Sequence, residues 1–152
     1  MIYGVIIFLL AIGDLTVKQL IERQEAETFP RPLEGTKGKI LLYQNHNAGF
    51  PFGVFKKHED LVRMLPLAVT SALAGALAAL AAGKEQVVRK LALATVIGGS
   101  LSNLYDRFVR RYVVDYFSFG FGGKRFSRIV FNLSDFGIII GAMMAVLAGT
   151  RP

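Results

Sequence analysis

Met64-Leu-Pro-Leu-Ala-Val-Thr-Ser-Ala-Leu-Ala-Gly-Ala-Leu-Ala-Ala-Leu-Ala-Ala-Gly83 is a run of 20 residues without one ionisable side chain. At ~1.5 Å per residue, a helix of that length spans the ~30 Å hydrocarbon core of a bilayer. Working outward, Leu91 to Tyr105 is a second uncharged run, and Phe136 to Thr150 a third. The third lengthens upstream through Ile129, Val130, Phe131 and Leu133 if Asp135 is admitted. Met1 to Gly13 is a fourth, continuing helically through Leu15, Leu20 and Ile21. These runs predict a mainly α membrane protein of one domain, with transmembrane helices at about 1–22, 63–83, 88–110 and 130–149. The first run lacks a basic leading region, and Asp14 and Lys18 stand where a cleavage site would lie, so it reads as a retained helix rather than a signal peptide.

Composition agrees. The 152 residues are 53% hydrophobic and 19% charged, with a mean hydropathy of +0.44, too apolar for a disordered chain. The absence of cysteine excludes a disulfide scaffold, a thiol nucleophile and thiolate metal sites. The net charge of +7 points to anionic lipid rather than nucleic acid in so apolar a chain.

Two hydrophilic loops remain, about 23–62 and 111–129. The first holds glycines, prolines and a β-like run at Lys39 to Tyr43; the second is punctuated by Gly120, Gly122 and Gly123. Helices two and three are joined by a short turn at Lys84 to Lys90, which puts both long loops on one membrane face. Ser71, Gly75 and Ala79, spaced by four, read as a close helix-packing stripe, and Gly98-Gly99 also reads as packing.

A carboxylate near the middle of a bilayer costs on the order of 2.5–3.5 kcal/mol or more. Four aspartates lie in or beside the apolar runs: Asp14, Asp106, Asp115 and Asp135. Asp135 has no basic residue within six positions; Asn132, three residues earlier, is placed to donate an amide hydrogen bond to it. It reads either as a functional carboxylate or as a cap of the last helix, with Ser134 as a rival cap. Asp115 lies in the apolar run Tyr112-Val-Val-Asp-Tyr-Phe117, where desolvation raises the pKa of an unpaired acid. Asp106 is followed by Arg107, and Asn103, Asp106 and Arg110 share a helical face, either as an ion-paired helix end or as support for a site. Asp14 and Lys18 have the i, i+4 spacing of a paired acid and base.

Two aspartates brought together can share one proton, one charged to activate water and one neutral to donate to a carbonyl. No His-Glu-x-x-His zinc motif or phosphate-binding glycine loop offers a different chemistry, and His46 and His58 lie in the polar loop.

Four blocks in order resemble the lipoprotein signal peptidases, the signal peptidase II family. Asp14-Leu-Thr-Val-Lys18 resembles the family's Asp and Lys on its first helix. Asn47-Ala-Gly49-Phe-Pro-Phe52-Gly resembles its Asn-x-Gly-Ala-Ala-Phe loop. Gly98-Gly-Ser-Leu-Ser-Asn103-Leu-Tyr-Asp106-Arg107, then Val113-Val-Asp115-Tyr-Phe, resembles its Gly-Gly, Asn, Asp-Arg and Val-Val-Asp-Phe run. Phe131-Asn132-Leu-Ser-Asp135 resembles its Phe-Asn-x-Ala-Asp.

The resemblance implies a four-helix aspartyl endopeptidase of the bacterial inner membrane, with a small extracytoplasmic β-rich cradle. Its substrates would be diacylglyceryl-modified prolipoproteins, cut just before the lipidated cysteine, without any cofactor or metal. By family position Asp115 and Asp135 would be the catalytic pair. Asn47, Gly49, Asn103, Asp106, Arg107 and Asn132 would orient the substrate or the pair, and Asp14 and Lys18 would support them. The expected partners are the lipidated substrate and membrane lipids, with the enzyme monomeric. Departures fall at Phe50-Pro51 for Ala-Ala, at Ser102 for Gly, at Val17 for Ser or Thr, and at the missing tryptophan of the second loop.

Charge distribution pulls against this orientation. Only Lys84, Arg89, Lys90 and Arg151 of the 18 basic residues fall on the short-turn side, so the positive-inside rule alone turns the long loops inward. The family places them outside, where basic loops would meet anionic headgroups. The competing readings are a small proton or ion carrier using intramembrane acids and a catalytically altered lipopeptide-binding membrane protein.

Overall fold

A computed structural model describes residues 1–49, 58–83, 85–123 and 126–149. The Phe50-Pro51 pair, Lys56, Lys57, Lys84 and Arg151 lie outside the described residues. The described residues form four long helices and a small sheet: α1 (Ile2–Glu22), β1 (Arg31–Pro32), β2 (Ile40–Asn47), α2 (Glu59–Ala81), α3 (Val87–Tyr105), β3 (Val113–Phe119) and α4 (Leu133–Gly149). Short 3-10 turns at Ala26–Thr28 and Phe126–Arg128 punctuate the loops.

The long apolar runs fold as helices, because only a helix satisfies every backbone polar group within its own segment. Both α1 and α2 are long and apolar enough to cross a membrane, each with a mean hydropathy of 1.9; α4 is a shorter apolar helix. Their outward faces carry large exposed side chains: Phe8 and Leu9 on α1, Met64 and Leu65 on α2, Val146 and Leu147 on α4. So continuous an apolar surface calls for an apolar surround.

The centre of the bundle is α3, packed on α1, α2 and α4. Gly98 and Gly99 make the close approach possible. A Cβ at Gly98 would lie 2.9 Å from the Leu10 side chain of α1, and one at Gly99 would lie 2.5 Å from the Ser134 carbonyl oxygen of α4. Gly141 plays the same part further along α4, against Ala92 and Val96. The stripe Ser71, Gly75 and Ala79 differs from its sequence reading. All three are exposed, and a Cβ at Gly75 would meet nothing within 4 Å. The packing glycines belong instead to α3 and α4.

Helix boundaries also shift. α2 begins at Glu59 rather than 63 and carries Pro66 inside it, which removes one intrahelical bond. α3 passes at Tyr105 into a π-helical turn, Asp106–Arg110, a wide turn frequent at functional sites. α4 starts at Leu133, three residues later than the hydropathy suggests. Phe131, expected inside that helix, is extended and bridges to Phe117 of β3.

The sheet is antiparallel in the order β1-β2-β3. Between Leu42–Phe117 and Asn45–Asp115 the register shifts, a bulge that re-aims the side chains beyond it. Past the bulge, Asn45, Asn47, Val113 and Asp115 share one face, because strand side chains alternate with period two. That face looks into the cavity described next.

Candidate active site

A cavity of about 620 Å³ opens where β2, β3 and the ends of α3 and α4 meet; Asn47, Asn103, Arg107, Asp115 and Asp135 all line it. Asp115 comes from the middle of β3 and is 4% exposed. Its Oδ1 accepts from Asn132 Nδ2 at 2.8 Å and its Oδ2 from Asn47 Nδ2 at 3.2 Å. The Gly49 N–H donates to Asn47 Oδ1 at 3.0 Å, which turns the amide so that its NH₂ faces Asp115. Burial, and then the nearby charge of Asp135, push the Asp115 carboxyl up to about 7, against the opposing pull of the two asparagine hydrogen bonds.

Asp135 sits in the first turn of α4. Its Oδ2 accepts from the Asn132 backbone N–H at 3.1 Å, and its own N–H donates to Asn132 Oδ1 at 2.9 Å. This is a reciprocal capping box, with Asn132 as N-cap. The capping and functional readings of Asp135 are therefore compatible, since one carboxylate closes the helix and faces the cavity. The expected amide bond from Asn132 to Asp135 is made by the backbone N–H rather than by the side chain. Asn132 lies outside the helix as its cap, so its side-chain oxygen serves the Asp135 N–H and its NH₂ is left to reach Asp115. Asn103 Nδ2 donates to Asp135 Oδ1 at 3.3 Å.

Behind the carboxylates lies a buried ion network. Lys18, Asp14 and Asp106 are all fully buried. Lys18 Nζ lies 2.8 Å from both Asp14 Oδ2 and Asp106 Oδ2, and donates to Asn103 Oδ1 at 2.8 Å and to Ser102 Oγ at 3.1 Å. With its oxygen held by Lys18, the Asn103 amide presents its NH₂ to Asp135. Asp106 accepts from Arg110 at 2.8 Å and from the Val114 N–H at 3.1 Å, so it joins α3 to β3. Its partners are Lys18 and Arg110, while Arg107 turns to the cavity and donates to the Asn103 carbonyl at 3.3 Å.

The residues singled out in the sequence thus converge on one locality. Three others join them. Tyr116 OH donates to Asp14 Oδ1 at 2.9 Å, and Ser102 and Ser134 both donate to Asp14 Oδ2 at 2.6 Å. The signal for Tyr116 was present: a tyrosine in an apolar run needs a partner for its hydroxyl when buried. At the rim, His46 stacks on Tyr112 and both bond Glu22 at the end of α1. Among the described residues no group of three or more His, Asp or Glu side chains is arranged to hold a metal ion.

The sequence pattern of the family described as Signal peptidase (SPase) II matches residues 6–151. The chain belongs to the signal peptidase II family. A lipoprotein signal peptidase of Vibrio cholerae serotype O1 is 33% identical over 147 residues, covering 94% of this chain and 83% of that protein. One from Sulfurihydrogenibium sp. is 30% identical, covering 91% and 85%. A bacterial membrane enzyme solved by the in meso method at 2.3 Å resolution shares the fold, with a TM-score of 0.76 over 96% of this chain and 85% of that one, at 20% identity. Signal peptidase II membership makes this chain a peptidase by family, and Asp115 and Asp135 both line its cavity.

Proposed function

We propose that this chain removes the signal peptide from diacylglyceryl-modified prolipoproteins, cutting just before the lipidated cysteine. In this reading Asp115 and Asp135 are the catalytic pair. The observation that carries it is Asn132, which donates its side-chain NH₂ to Asp115 and its backbone N–H to Asp135 and so ties both acids to one fully buried residue.

One carboxyl of the pair holds the shared proton and the other is ionised. The ionised one takes a proton from a water between them, and that water attacks the scissile carbonyl. The protonated one donates to the carbonyl oxygen as charge develops there. Collapse of the tetrahedral intermediate returns a proton to the leaving amine, and the pair is restored. Arg107, at the same cavity, is placed to hold a backbone carbonyl of the substrate. No cofactor enters.

All four long helices cross the bacterial inner membrane in this reading. The sheet and the cavity lie at the extracytoplasmic face, where the lipidated cysteine is presented, and the enzyme works as a monomer. The exposed apolar faces of α1, α2 and α4 support the embedding.

The test is cleavage of a diacylated prolipoprotein by the purified protein in lipid. Asp115→Asn and Asp135→Asn each abolish turnover while the protein still unfolds in one cooperative transition. Near wild-type rates in either variant would show that the pair is misassigned. Proton flux across liposomes without cleavage would instead support a carrier.

A further inference from the structure

Asp14 is the meeting point of four elements. Its carboxylate belongs to α1 and accepts from Ser102 of α3, Tyr116 of β3, and both the Ser134 hydroxyl and the Leu133 N–H of α4, besides its ion pair with Lys18. The Oδ2 atom alone receives both serine hydroxyls at 2.6 Å and the Lys18 ammonium at 2.8 Å. Asp14, Ser102 and Ser134 are all sealed from solvent, none more than 2% exposed. The two serines stand where the motifs quoted above carry Gly and Ala, residues that bring no hydroxyl.

We propose that Ser102 and Ser134 are positioning residues: a two-hydroxyl clamp on Asp14 that fixes the first turn of α4, and with it Asp135, against α1 and α3. The inference rests on the peptidase reading for its kinetic consequence and on geometry alone for its structural one. Ser134 and Asp135 are neighbours in the turn that Asp14 grips. Ser102 also accepts from Lys18, whose ammonium orients Asn103 toward Asp135. The clamp therefore acts on Asp135 by two routes, through the backbone of α4 and through the Lys18–Asn103 relay. A carboxylate at a helix N-terminus is further favoured by the helix dipole. Removing one hydroxyl leaves the other and the ammonium to hold Oδ2; removing both leaves a buried oxygen short of donors.

The experiment compares Ser102→Ala, Ser134→Ala and the double variant with the full-length enzyme in lipid, measuring kcat and KM on a diacylated prolipoprotein. Each single variant is expected to lose a few-fold in kcat and the double about a hundredfold, more than the product of the singles, with KM within twofold of wild type. A purely structural role lowers the unfolding midpoint and the active fraction but leaves kcat per folded enzyme unchanged, and that result would overturn the proposal. A second arm needs no turnover: a thermal-unfolding cycle between Ser102→Ala and Asn103→Ala, the two residues that share Lys18. Non-additive midpoint shifts support the relay; additive shifts overturn it. A wild-type protein that fails to cleave the lipidated substrate counts against the peptidase reading alone, and this cycle still decides the clamp.

Discussion

Asn132 and Asp135 exchange hydrogen bonds: the backbone N–H of each donates to the side chain of the other, at 3.1 and 2.9 Å. Fold and site are coupled there, because the pair that starts α4 also presents an acid to the cavity. Asn132→Ala removes the cap, worth about 1 kcal/mol, and the donor to Asp115. We expect a lower unfolding midpoint together with a fall in kcat of about tenfold or more, since a hydrogen bond to a charged group contributes about 1.5–3 kcal/mol. Steady-state kinetics beside a thermal melt checks both.

The raised pKa of Asp115 sets a pH dependence. Its carboxyl titrates at about 7 in the folded chain against an ordinary value of 3.8. The folded state therefore holds a proton that the unfolded chain releases. The resulting stabilisation is fully present below about pH 4 and is lost as pH rises toward 7. Melting midpoints measured from pH 4 to 8 should show this decline, and Asp115→Asn should remove it. Turnover should fall above about pH 7 as the pair loses its shared proton.

Lys18 is buried between two carboxylates, Asp14 and Asp106, at 2.8 Å from each. Lys18→Met leaves Asp14 without its cation and Asp106 with Arg110 alone, and breaking a buried pair in this way costs about 3–5 kcal/mol. The expected result is a large loss of folded protein on extraction, read by size-exclusion chromatography. Lys18→Arg should not restore it, because a planar fork cannot serve four acceptors gathered around one ammonium.

Gly99 and Gly75 form a matched test of packing. At Gly99 a methyl group would press on the Ser134 carbonyl and on Ile138 of α4. Gly99→Ala should destabilise by about 1–3 kcal/mol through overpacking, and should lower kcat as the first turn of α4 is pushed outward. Gly75→Ala meets open space and should leave the melting midpoint and the rate unchanged within error.

Much of this protein was legible before any coordinates. The uncharged run at Met64 to Gly83 and its three companions mark helices, because an apolar stretch of that length has one economical way to satisfy its backbone. Asp14, Asp106, Asp115 and Asp135 stand out because a carboxylate among apolar neighbours is expensive wherever it lies. Both signals are local and can be read one window at a time.

Only the tertiary structure decided which donor meets which acceptor. The sequence puts Asn132 beside Asp135, yet its amide reaches Asp115. It also puts Arg110 on the face of Asp106, and that pair forms, yet the second cation at Asp106 is Lys18, brought in from α1. Hydropathy carries the last helix back to residue 130, yet its cap holds it to Leu133. The stripe at Ser71, Gly75 and Ala79 is exposed, while Gly98 and Gly99 lock α3 to two neighbours. The physical reason is the same throughout. These outcomes depend on groups far apart in the chain, Ser134 and Asp14 being separated by 120 positions, and a hydrogen bond of 2.6 Å is set by how helices settle against one another, which no window of sequence contains.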